Sequence, residues 1–140
     1  MKKNFVVKST IEIECSGRIY DLHNDFDCSR ILFDPISSSL ALSWTSSASG
    51  MLVQISFESI ELLMLRGMDT EVPREEDRRL SFLGYTHPED TDLMNGFLPE
   101  DLAGDDYHFI LGFEGGVTIK LHCRSARFGE GHPDSPPGYV

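Results

Sequence analysis

Cysteine is scarce in this sequence, and the three residues that occur form no metal-binding or redox motif. No pair has the CxxC spacing of zinc and dithiol sites, and an odd number cannot form a fully paired disulfide framework. We therefore predict free thiols in a reducing, cytoplasmic environment. Cys15 and Cys123 are expected in strands, whereas Cys28 is expected in a polar turn.

Long hydrophobic runs are also missing, since the longest uninterrupted apolar stretch is Leu62–Leu65. A membrane-spanning helix needs about 20 apolar residues and a signal peptide needs a long apolar centre, so the sequence predicts neither. The length of 140 residues is sufficient for one hydrophobic core. We predict a single β-rich domain over residues 1–128, followed by a tail rich in glycine and proline over residues 129–140.

Motifs for phosphate binding, nucleophilic catalysis and calcium binding are absent or incomplete. The chain has no GxSxG elbow, and its glycines at 112–116 lie in a predicted hairpin instead of between a strand and a helix. Segment 90–96 has aspartates two residues apart, but Asn95 stands where a calcium loop needs glycine and Asp101 where it needs glutamate. We therefore predict neither a cofactor nor an enzyme, and an enzyme of unrecognised type remains a third hypothesis.

The clearest pattern that is present is a β-hairpin over residues 105–124, where β-branched and aromatic residues flank a glycine-rich turn. A two-residue loop at Gly115 and Gly116 is one possible register, but it would place apolar and charged residues on the same face. A three-residue loop with a glycine bulge separates them, and we favour it. It predicts three apolar pairs: Phe113 with Val117, Leu111 with Ile119 and Phe109 with Leu121.

The other face of this hairpin is predicted to be polar and partly exposed. The favoured register places His108 directly opposite His122, with β-carbons about 5 Å apart. Two imidazoles at this distance are candidate metal ligands, although a transition-metal site normally has three or four. The register offers Asp106 as a third ligand, but it is expected to pair with Arg124.

Alternating apolar residues predict further strands along the chain. They include a second hairpin over residues 40–57 and a strand from Leu80 to Tyr85, while residues 58–66 fit either a bent strand or a helix, and we favour the strand. Pro73 precedes a charged run that suggests a short helix. Because the strands are many and close together, we predict a mainly β fold: an antiparallel two-sheet sandwich or a partly open barrel with one or two short helical turns.

The net charge is −11 and is concentrated in one segment. Between His87 and Asp106 there are seven acidic residues and no lysine or arginine. This distribution argues against nucleic-acid binding. An acidic surface can keep a protein soluble, attract a basic partner or bind cations, and we favour the basic partner. The predicted partner-binding residues in this segment are Asp90, Asp92, Phe97, Leu98, Glu100 and Asp101.

Two functional hypotheses of different classes follow. The first is a small, non-enzymatic protein-interaction domain whose acidic segment binds a basic protein. Small acidic immunity proteins that block basic nuclease toxins are similar to this chain in charge and size alone. The second hypothesis is a small-molecule or metal-binding β-domain that uses the pair formed by His108 and His122.

Overall fold

A computed structural model describes residues 1–67, 78–90 and 97–131. Within these ranges the chain forms ten β-strands, one 3-10 turn at Glu100–Leu102 and no α-helix, which confirms the predicted mainly β, antiparallel class. The strands are β1 (Lys2–Lys3), β2 (Val6–Val7), β3 (Glu12–Cys15), β4 (Arg18–Asp21), β5 (Phe26–Asp34), β6 (Ser39–Ser46), β7 (Leu52–Arg66), β8 (Leu80–Thr86), β9 (His108–Phe113) and β10 (Thr118–Gly131).

The strands belong to two sheets of unequal size. The larger sheet has the order β5-β6-β7-β10-β9-β8, with antiparallel neighbours, and it curls into a half-barrel. The short strand β1 runs parallel to β10, where Lys2 is paired with Ser125. The smaller sheet has the order β2-β3-β4. Among the described residues, no helix is long and apolar enough to cross a membrane.

One hydrophobic core lies between the two sheets. Ile13 and Tyr20 of the smaller sheet belong to the same buried cluster as Trp44, Phe57 and Phe109 of the larger sheet. Trp44 is fully buried on the apolar face of β6, as its alternating position indicates. Each large side chain buried in this way stabilises the fold by about 1.5 to 3 kcal/mol relative to leaving it exposed.

The ambiguous residues 58–66 are the second half of a single long strand, β7, so the favoured interpretation is confirmed. Ser59 has a positive φ of 53°, and the pairing with β10 shifts register between His122 and Cys123. The register shift leaves Glu61 as the extra residue, since Ile60 pairs with Cys123 and Leu62 with His122. The irregular backbone at Ser59 lies between Phe57, which is in the core, and Ile60, which packs against it, so strict alternation is interrupted there.

The main hairpin has the predicted three-residue register. Leu111 is paired with Ile119 and Phe109 with Leu121. The amide of Phe113 donates to the carbonyl of Val117 at 2.8 Å, and Gly116 has the positive φ, 105°, that this turn requires.

Several expectations need correction or lie outside the described residues. Cys28 is buried in β5 opposite Trp44 and is not in a turn, because its polar neighbours alternate outward while it faces the core. Strand β10 continues past Phe128 to Gly131, where β7 supplies its hydrogen-bond partners, so the predicted domain boundary falls inside the strand. The helix expected after Pro73 and the tail from residue 132 lie outside the described ranges.

Candidate functional site

The hairpin face that was predicted to be polar and partly exposed is largely buried. Ile110 and Lys120 are 0% and 1% exposed, and His108 is 8% exposed. The expectation therefore fails for this face, because the beginning of the acidic segment folds over it. Ile110 carried the signal for this burial, since an isoleucine beside Lys120 is unusual on a solvated face.

Lys120 is the first anchor of the acidic segment. Its buried ammonium donates hydrogen bonds to the carbonyl oxygens of His87, at 3.2 Å, and of Asp90. The hydroxyl of Thr86, also buried, donates to the carboxylate of Asp90 at 3.4 Å. A buried ammonium needs acceptors, so these contacts fix the main chain of residues 87–90 against the sheet.

Glu100 is the second anchor. One carboxylate oxygen pairs with the ammonium of Lys3, and the other accepts from the amide of Val7 at 3.0 Å and the hydroxyl of Tyr85 at 2.8 Å. Burial, reinforced by the hydrogen bond to this carboxylate, raises the pKa of Tyr85 well above its usual range. The carboxylate of Glu100 thus joins β1, β2, β8 and the acidic segment.

Main-chain hydrogen bonds close the edge of β8 between these anchors. The amide of Tyr85 donates to the carbonyl of Leu98 at 3.1 Å, and the amide of Leu98 donates back at 2.7 Å. On the same edge, the amide of Leu83 donates to the carbonyl of Thr10 at 2.7 Å. Leu98 also packs on the core, so its role in the described structure is to hold the segment on the sheet.

Phe97 stacks on Phe82, with ring centroids 4.1 Å apart. Beside this stack, an apolar cleft opens at the protein surface, lined by Val7, Leu83, Phe97, Leu98 and Pro99 together with Ser9 and Thr10. Both Phe97 and Leu98 are half-buried. Asp92, another predicted partner-binding residue, lies outside the described residues.

The exposed acidic residues follow immediately after the anchor at Glu100. Asp101, Asp105 and Asp106 are exposed, and Leu102 between them is 64% exposed. We call residues 101–106 the acidic turn. The predicted partner-binding set is therefore divided between Asp101, which faces solvent, and Asp90, Phe97, Leu98 and Glu100, which also hold the segment in place.

The histidine pair is close together on the buried hairpin face. The rings of His108 and His122 have centroids 5.1 Å apart and are tilted by 39°. The Nδ1 atom of each ring is buried, and neither has a hydrogen-bond partner among the described residues. Burial lowers the pKa of His108, and the positive charges of Lys120 and His122 lower it further.

The surroundings of this pair differ from the sequence expectation. Arg124 does not pair with Asp106: its Nε donates to Glu61 on the neighbouring strand β7 at 3.0 Å. The other oxygen of Glu61 lies 3.9 Å from Nε2 of His122. In the described part of the chain, no group of three or more histidine, cysteine or acidic residues could hold a metal ion.

Two of the three cysteines are shielded from solvent. Burial raises the pKa of the Cys28 thiol to about 12 and that of Cys123 to about 11. A thiol that stays protonated at neutral pH is a poor nucleophile and a poor metal ligand. All three cysteines are free, and Cys15 is only half-buried.

Comparisons of this chain with protein-family models, with curated proteins and with solved structures found no match.

Proposed function

We propose that the protein is a non-enzymatic β-domain that binds a basic protein partner through the acidic segment of residues 87–106. The main support for the proposal is that the carboxylates of this segment have different environments. Glu100 contacts Lys3, Tyr85 and Val7 in the fold, whereas the adjacent acidic turn exposes its aspartates around Leu102. A loop that is anchored on a sheet and presents charge to solvent is typical of binding surfaces.

The charge pattern supports a basic partner. No lysine or arginine lies between His87 and Asp106, so the mutual repulsion of these carboxylates is not relieved inside the segment. A basic surface would turn this repulsion into attraction and chiefly accelerate association. Affinity would come from apolar contacts, for which exposed Leu102 and the cleft beside Phe97 are available.

The test compares two variants with the same change in net charge. The first neutralises the acidic turn, with Asp101→Asn, Asp105→Asn and Asp106→Asn. The control neutralises exposed acids elsewhere, with Asp25→Asn, Asp27→Asn and Glu58→Gln. We expect only the first variant to lose retention on an immobilised basic protein at about 0.15 M salt, because exposed charges then act over only about 8 Å. Equal retention of the two variants would reduce the segment to a solubilising surface.

A second candidate function is the binding of a metal or a small polar ligand at the histidine pair. It is favoured by the two buried Nδ1 atoms, which find no partner among the described residues, since buried polar atoms are normally satisfied. Titration with Zn²⁺ or Ni²⁺, measured by calorimetry, should give a heat of binding. His108→Ala and His122→Ala should each remove it. His132→Ala is the matched control, and loss of the signal in that variant would assign binding to the C-terminal residues instead.

A further inference from the structure

Strand β5 stands at the end of the larger sheet that is opposite to β8. It pairs with β6 on one side, and no other described residue pairs with its second side. A bulge lies between Cys28 and Arg30, but from Arg30 to Asp34 the strand is regularly paired with β6. Within the described ranges, this segment is therefore a regularly paired edge strand, and no strand uses the main-chain donors and acceptors on its second side.

The centre of this edge is apolar and accessible. Ile31, Leu32 and Phe33 are 44%, 44% and 45% exposed, and Ile36 in the following turn is 95% exposed. Natural proteins protect an edge with charged side chains, proline or a bulge. Here these devices stand only at the two ends of the segment, where the bulge and Arg30 precede it and Asp34 and Pro35 follow it. The three residues between them are apolar, so an added strand would bury apolar side chains on both faces of the sheet.

The charges at the two ends of this segment are symmetric about Leu32. Arg30 and Asp34 lie equally far from Leu32 and on the same face of the sheet, because side chains alternate along a strand. Both residues are exposed. When two copies align antiparallel with Leu32 opposite Leu32, each Arg30 lies opposite Asp34 of the other copy, and each Ile31 lies opposite Phe33.

We propose that two copies of this chain associate through β5 in this register, so that their larger sheets join into one continuous antiparallel sheet. The contact is self-complementary in charge, in apolar surface and in main-chain hydrogen bonding. Because it has two-fold symmetry, each copy uses its β5 edge once and the assembly stops at a dimer. This surface is separate from the described parts of the acidic segment, which lie at the β8 end of the sheet. The dimer therefore does not depend on the proposed binding of a basic protein.

Salt dependence distinguishes the two proposals. Each copy carries a net charge of −11, so two copies repel each other at long range, and added salt screens this repulsion. We expect dimerisation to strengthen as salt rises from low concentration. Binding of a basic protein has the opposite dependence, because salt screens an attraction.

Sedimentation equilibrium of the full chain over a wide concentration range is the direct test. The unmodified protein should form dimers, whereas Leu32→Lys and Leu32→Glu should each weaken dimerisation by more than about tenfold. Each substitution removes two leucines from the contact and places like charges opposite each other. Ile19→Lys, at a similarly exposed position on β4, is the matched control and should leave the dimer intact.

Mixing the two charged variants tests the register itself. Because residue 32 faces residue 32 of the second copy, an equimolar mixture of Leu32→Lys and Leu32→Glu should recover dimers that neither variant forms alone. Circular dichroism of each variant confirms that its fold is retained. The proposal is overturned if the unmodified chain stays monomeric at all concentrations, if Leu32→Lys still dimerises, or if the mixture remains monomeric.

Discussion

The two edge strands of the larger sheet, β8 and β5, differ in whether other described residues cover them. At the β8 end, Leu83 and Tyr85 use their outward amides in bonds to Thr10 and Leu98. At the β5 end, the strand from Arg30 to Asp34 has no such cover among the described residues and exposes apolar side chains on both faces. Other parts of the chain form hydrogen bonds with the edge of β8. The edge of β5 has the properties of one to which another strand can be added.

Covering the β8 end requires specific side chains from several parts of the sequence. A ring nitrogen of His23 contacts the carbonyl of Leu80 at 2.6 Å, and Glu100 and Lys120 fix the two described ends of the acidic segment. The covered end is therefore also where the acidic turn is presented. The proposed binding of a basic partner and the proposed dimerisation therefore use opposite ends of the larger sheet.

Amide hydrogen exchange should show the largest contrast between the two ends. We expect the amides of Leu83 and Tyr85 to exchange only in the more global openings, whose free energies approach that of unfolding, about 5 to 15 kcal/mol. In β5, the amides that point away from β6 should exchange orders of magnitude faster in dilute solution. Exchange followed by NMR at two protein concentrations checks this, and the outward β5 amides should become protected at the higher concentration. Slow exchange of these amides at high dilution would mean that the β5 edge is already covered.

The same substitution at the two ends should have unequal cost. Phe109 next to β8 is fully buried and contacts the rings of Phe57 and Tyr85, whereas Phe33 in β5 is 45% exposed. Phe109→Ala should lower the free energy of unfolding by about 3 to 5 kcal/mol. Phe33→Ala should lower it by about 1 kcal/mol, because folding removes less of the Phe33 side chain from water. Urea unfolding at low protein concentration measures both, and similar costs would contradict the assignment of β5 as a bare edge.

Adjacent acids in the covered end offer a finer comparison. Glu100→Gln removes the charge that Lys3, Tyr85 and Val7 share, and we expect a loss of about 1 to 3 kcal/mol in the free energy of unfolding. Asp101→Asn, one residue later and exposed, should change it by less than about 0.5 kcal/mol. Thermal and denaturant unfolding of the two variants provide the measurement. A large effect of Asp101→Asn would show that the acidic turn also has a structural role.

Local patterns in the sequence predicted most of the longer strands and the hairpin register correctly, because alternation and turn glycines act over a few residues. They missed the start of β5, where Cys28 was expected in a turn. A bulge was also expected near Glu58 and Ser59, and the register shift lies close by, with Glu61 as the extra residue. The edges of the sheet were not predictable in this way. Which strand pairs with Leu98, and which strand remains at the end, depends on contacts between residues far apart in the chain.

The candidate site shows the same limit. Charge counting identified the acidic segment, but it did not separate Glu100 from Asp101, since adjacent carboxylates look alike in a sequence. Lys120 was assigned to a polar face, because alternation shows which residues share a face. It does not show which other segment packs over that face. Likewise, Arg124 was matched with Asp106 across the hairpin, whereas the next strand, β7, supplies Glu61.

The smallest expected effect is a pH dependence beneath the covered end. Burial and the charges of Lys120 and His122 lower the pKa of His108, His87 adds a smaller effect in the same direction, and Asp106 opposes it. The unfolded chain therefore binds a proton at this position more readily than the folded chain. Stability rises with pH where the unfolded state holds more protons, so His108 should reduce the free energy of unfolding as the pH falls below about 6.5.

Comparing the unmodified protein with His108→Gln between pH 7.5 and pH 5.5 isolates this contribution. The pKa values of Glu61 and Asp34 are lowered by hydrogen bonds from Arg124 and from the turn after β5, so both carboxylates remain ionised in this window. Urea unfolding should show that the unmodified protein loses more stability on acidification than the variant does. An equal loss would mean that His108 takes up its proton without cost, and that the segment from His87 to Asp90 does not shield it from water. β5 contains no histidine, so exchange of its outward amides, corrected for the intrinsic pH dependence, should not change when His108 titrates. Protection of the Tyr85 amide should fall as His108 takes up its proton.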